Sequence, residues 1–116
     1  MEEDSKLTKY ILSPSLSGVY VSKSDLQLVA AICGYSLQVQ ERKRMLKELF
    51  ALVHNVEDFC KIIDAFVGFF EYKKDMYKGV THEYPGTTLV VNSLLSRADE
   101  ALVELKKAKE EAELIS

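Results

Sequence analysis

Apolar residues along this chain recur mostly at steps of three and four, the period of a helix with one face turned inward. From Asp25 to Asn55 the stripe runs Leu26, Val29, Ala30, Cys33, Leu37, Met45, Leu49, Leu52 and Val53. Ser24, with Gln27 three residues on, makes an S-x-x-Q capping signal at its start. Gly34 and Ser36 weaken the pattern, since a glycine costs up to about 1 kcal/mol in a helix interior. The segment is therefore expected as one helix kinked near Gly34 or as two helices meeting near Ser36.

Asn55 can cap a second helix, with Glu57 and Asp58 at the positive end of its dipole. Val56, Phe59, Cys60, Ile62, Ile63, Phe66, Val67, Phe69 and Phe70 cover more than half its circumference, which predicts a central element with neighbours on several sides. Gly79 is placed to stop it, and the stretch from Gly79 to Thr88, with His82 and the turn-forming Pro85-Gly86 inside it, reads as a loop. Thr87 or Thr88 then opens a third helix to about Glu113. Its apolar seam of Val91, Leu94, Ala98, Ala101, Leu105, Ala108 and Ala112 is widened by Leu95 and Leu102.

The first 21 residues lack this period. Tyr10-Ile11-Leu12 and Val19-Tyr20-Val21 flank the turn-forming Ser13-Pro14-Ser15-Leu16-Ser17-Gly18. A short hairpin or an extended arm packed on the helices is expected there, because two such triplets do not hold together alone in water. The fold expected is all-α: an up-down bundle of three long helices, four if the first breaks near Gly34, over residues 22–116, with an N-terminal arm over residues 1–21.

Composition narrows the chemistry. The chain has 116 residues, 15 basic against 18 acidic, so its net charge of -3 gives no general affinity for nucleic acid. The acidic start Met1-Glu2-Glu3-Asp4 is unlike a secretory signal, no apolar run is long enough for a membrane span, and Cys33 and Cys60 form no CxxC pair. A cytoplasmic protein with two buried thiols is expected.

Candidate functional residues are sparse. Arg42, Lys43, Arg44 and Lys47 form the densest basic face, but Glu41 and Glu48 lie one turn from Arg44, so a self-paired solvated face accounts for it and nucleic-acid binding is disfavoured. His54 with Glu57 and Asp58, and His82 with Glu83, lack the spacing of metal sites. No nucleophile or phosphate-loop motif is present. Asp64 is expected on a wet stripe with Lys61, Gly68 and Glu71, where the glycine would admit another backbone. No catalytic residue, metal or cofactor is assigned.

The remaining expectation is a small non-enzymatic interaction protein, an adaptor, assembly subunit or regulator, that binds itself or another protein through helix faces. The third helix, through Val91, Leu94, Leu95, Ala98, Leu102 and Leu105, is the candidate surface. The alternative is a bundle holding a small apolar ligand among Met45, Phe66, Phe69 and Phe70.

Overall fold

The computed structural model describes residues 2–115, with side chains from Lys6 onward. Of these residues 82% are helical and none is in a strand, so the protein is all-α. The helices are α1 (Glu2–Leu12), α2 (Pro14–Ser17), α3 (Lys23–Ile32), α4 (Arg42–Ala51), α5 (Val56–Glu83) and α6 (Thr88–Ile115), with a 3-10 turn at Pro85–Thr87.

The segment expected as a hairpin or extended arm begins instead as a helix. Leu7 and Ile11, four residues apart, bury one side of α1, and Pro14 halts it, because the residue before a proline is driven out of helical geometry. Pro14 then opens the single turn α2, which Gly18 closes at φ 71°, its amide donating to the Pro14 carbonyl at 2.8 Å. Val19 and Val21 beyond it are fully buried while Tyr20 faces out. The alternation of that triplet is real, but no partner strand accompanies it among the described residues.

The region from Asp25 to Asn55 does break at Gly34. Tyr35 N–H donates to Ala30 O (2.8 Å) and Gly34 N–H to Ala31 O (3.0 Å), a glycine-closed helix end with Gly34 at φ 86°. The two resulting helices do not meet near Ser36, because an irregular, non-helical connector separates them. It is pinned where Leu37 is buried and its carbonyl accepts from Gln27 Nε2 at 3.0 Å. Gln27 thus does no capping. The box at the start of α3 is Ser22 with Asp25, each bonded to the other's backbone N–H, at 3.0 and 2.9 Å.

Asn55 caps α5 as expected, its side-chain oxygen accepting from Asp58 N–H at 2.8 Å. Gly79 does not stop the helix. A glycine ends a helix only where a left-handed residue is needed; here the chain remains helical until Tyr84, which precedes Pro85. The apolar residues of α5 and α6 pack against each other as an antiparallel hairpin. Across it Asp64 pairs with Lys109, Glu71 with Lys106, and Lys74 with Asp99, each partner retreating along α6 as the other advances along α5. Each helix has 28 residues, about 42 Å at ~1.5 Å per residue, nearly the 46 Å length of the molecule.

One face of this hairpin carries the short helices: α1 and α2 lie on α6, α3 lies on α5, and α4 bridges α1 and α3. Phe66 and Phe70 of α5, Met45 and Leu49 of α4, Leu26 of α3, Ile11 of α1 and Leu105 of α6 meet in a single core.

Candidate functional site

The short helices are too short to cover the hairpin along its whole length. Toward its free end, the last hydrogen bond between the two layers among the described residues is Tyr77 Oη donating to Gly18 O at 2.6 Å. There the α2 turn sits so close to α6 that a Cβ on Gly18 would lie 2.7 Å from the Leu94 carbonyl oxygen. Past that point, from residue 78 to residue 93, Val91 is the one buried residue.

The uncovered end is nonetheless rich in large apolar side chains. Val80 and Tyr84, four residues apart, stand on the α5 side, and Leu89 and Val90 open α6. Leu89 is 87% exposed, Val90 66% and Tyr84 60%. Val80 lies three residues beyond Tyr77 and Val90 four before Leu94, so both extend the face that the short helices cover lower down.

The residues expected to form an interaction seam are placed otherwise. Val91, Ala98, Leu102 and Leu105 are buried in the chain's own packing, and Leu94 and Leu95 are half-buried beside them. The stripe is consumed because α6 is covered on two sides, by α5 and by α1 with α2. Leu89 and Val90 fall outside the heptad that picks out the seam, and that is the signal by which they could have been found.

The four basic residues separate into two groups. Arg42 is part of the framework: its Nε donates to Val21 O at 2.7 Å, its Nη2 to Leu12 O at 2.8 Å, and its guanidinium lies 4.5 Å from the centre of the Tyr20 ring. Lys43, Arg44 and Lys47 are exposed. The expected pairing of Arg44 with Glu41 and Glu48 is absent from the ion pairs among the described residues.

The titratable groups offer little chemistry. His54 is exposed between α4 and α5, and His82, expected in a loop, is exposed on the last turn of α5. Among the described residues no three His, Cys, Asp or Glu side chains gather as metal ligands. Both cysteines are free. Burial pushes each thiol above its ordinary pKa; nearby Lys61 opposes this at Cys33, and the Glu113 carboxylate, 4.0 Å from Sγ, reinforces it at Cys60. Less thiolate at neutral pH makes both poor nucleophiles. Asp64 is exposed and bound by Lys109 Nζ at 2.9 and 3.2 Å, and no heavy atom approaches the space where a Gly68 Cβ would stand.

Phe66, Phe70 and Met45, named above as the lining for an apolar ligand, are fully buried. A cavity of about 210 Å³ lies elsewhere, between Leu7, Phe59, Ala108 and Ala112. No helix among the described residues is long and apolar enough to cross a membrane. Compared with protein-family models, with curated proteins and with solved structures, the chain matches none of them.

Proposed function

We propose that this protein is a non-enzymatic interaction protein, an adaptor, assembly subunit or regulator, that contacts a second copy or another protein through the free end of the α5–α6 hairpin. One observation carries the reading: four large apolar side chains, Val80, Tyr84, Leu89 and Val90, stand exposed on a two-helix end to which the described residues supply no further layer. The total surface agrees, at 7257 Å² against about 6400 Å² for a compact monomer of this mass. Isolated exposed apolar residues are ordinary, but a group of them sharing one end of the molecule is typical of a contact surface. A reducing, cytoplasmic setting goes with this reading and is supported by the two free thiols.

The test is the native mass of protein purified from its own host, beside the double variant Leu89→Asp/Val90→Asp. Both residues are exposed, so the variant keeps its helical circular dichroism and its melting temperature. The expected result is a dimer or a defined complex in the wild type and a bare monomer in the variant. Wild type and variant alike as bare monomers at concentrations up to about 100 μM, well above the Kd of a specific contact, would overturn the reading.

A further inference from the structure

A second surface shares no residue with the hairpin end and is independent of it. Where α1 finishes and α3 and α4 begin, the chain forms an open cleft of about 760 Å³ lined by Lys9, Lys23, Arg42 and Lys43, with Glu41 as its one carboxylate. Four cations from three helices share this cleft in a protein whose net charge is -3.

Glu41 is the one acid beside them, and no ion pair among the described residues holds any of the four. Arg42 is held rigidly, but by two neutral carbonyls and an aromatic ring, which fix its orientation and leave its charge uncompensated. Its remaining N–H groups are a fixed fork suited to the paired oxygens of an anion. The acid at the start of α4 is its N-cap, Glu41, and the first turn that follows, Arg42-Lys43-Arg44, is wholly basic, although the positive end of a helix dipole disfavours cations. Those three cations oppose the dipole, and an anion in the cleft would relieve that opposition.

We propose that this cleft binds an oligophosphate group, the di- or triphosphate of a small molecule. Phosphate is favoured over carboxylate because it brings more charge and more acceptor oxygens to a cleft bordered by four cations. Arg42 would orient the group, and the three lysines would contribute mobile point charges around it.

The test is calorimetric titration of the full chain with inorganic tripolyphosphate at about 50 mM and about 300 mM NaCl, a range over which ionic contacts weaken steeply. The expected result is saturable one-to-one binding, weakened at least about tenfold by Lys9→Gln/Lys43→Gln, the equivalent of losing about 1.4 kcal/mol. The control Arg44→Gln/Lys47→Gln removes the same charge outside the cleft and is expected to leave affinity within about twofold. All four residues are exposed, so both variants keep the wild-type fold; Arg42 is left intact because of its structural bonds. Absence of saturable binding at about 5 mM tripolyphosphate, weaker than any specific site of this kind, would overturn the proposal. So would equal weakening by the two variants, and so would binding of a single-stranded oligonucleotide without tripolyphosphate binding, which would mark a diffuse nucleic-acid contact instead.

Discussion

Two glycines with similar backbone angles are subject to different demands. Gly34 and Gly18 both have positive φ, but the space about Gly34 is open, whereas Gly18 abuts the α6 backbone at Leu94. Gly34→Ala is expected to cost about 1–2 kcal/mol, the left-handed penalty alone. Gly18→Ala adds a clash with a carbonyl that cannot turn aside and is expected to cost about 2–4 kcal/mol. Urea unfolding of the two variants gives the comparison directly. Arg42 and Arg44 make a similar contrast. Arg42→Ala removes two charged hydrogen bonds that tie the end of α1 and the chain before α3 to α4, a loss of about 3 kcal/mol, while Arg44→Ala should fall within about 0.5 kcal/mol of wild type.

The raised pKa values share one sign. Burial holds the Tyr77 hydroxyl above its ordinary 10.0, and holds the thiols of Cys33 and Cys60 above 9.0. The hydrogen bond to Asp99 raises Lys74 above 10.5. In each case the unfolded chain loses its proton first, so the folded state binds more protons and stability falls as pH rises. The melting temperature should hold steady to about pH 9 and then decline through the alkaline range. Tyr77→Phe should flatten part of that decline.

At the scale of elements, legibility in the sequence followed how local each cause is. Asn55 and Asp58 are three residues apart and their bond is made within one turn, so the start of α5 could be read directly. Gly34 ends α3 for a reason of its own backbone, which made that break legible too. The start of α3 offered two pairs at the same spacing, Ser22 with Asp25 and Ser24 with Gln27. Gln27 is diverted to Leu37, ten residues away, which local spacing does not show. Helix α1 was the least legible element, because only Leu7 and Ile11 of its described side chains are fully committed to the core, with Tyr10 and Leu12 half-buried beside them, and its burial depends on α6, some ninety residues on. The oligophosphate cleft was hidden for the same reason: Lys9, Lys23 and Lys43 are near one another only after folding. Gly68 and Gly79 lie inside α5 with open space where a Cβ would be. Each Gly→Ala change should therefore stabilise the protein by about 0.4–1 kcal/mol, measured as a shift in the denaturation midpoint.

The whole molecule combines a packed end with a bare one. Its radius of gyration, 14.6 Å, exceeds the roughly 13.4 Å expected of a compact chain of this length, and the excess reflects two long helices running on past the layer that covers them. The core residues and all three ion pairs across the hairpin lie on the covered side or at its border. Amides of residues 78–93 are expected to exchange with solvent through local opening, well ahead of those around Phe66 and Leu105, and a bound partner should slow only the former.

The turn at Gly86 gives this asymmetry a covalent consequence. Space around Gly86 is open, and the turn's hydrogen bonds are local, from Thr87 and Thr88 to Tyr84 and Pro85. A protease that cuts there severs the backbone without touching anything that binds α5 to α6. The two pieces, residues 1–86 and 87–116, would stay joined through the surfaces that hold them in the intact chain, so the nicked protein would run as one species until denatured and would reassemble from its halves.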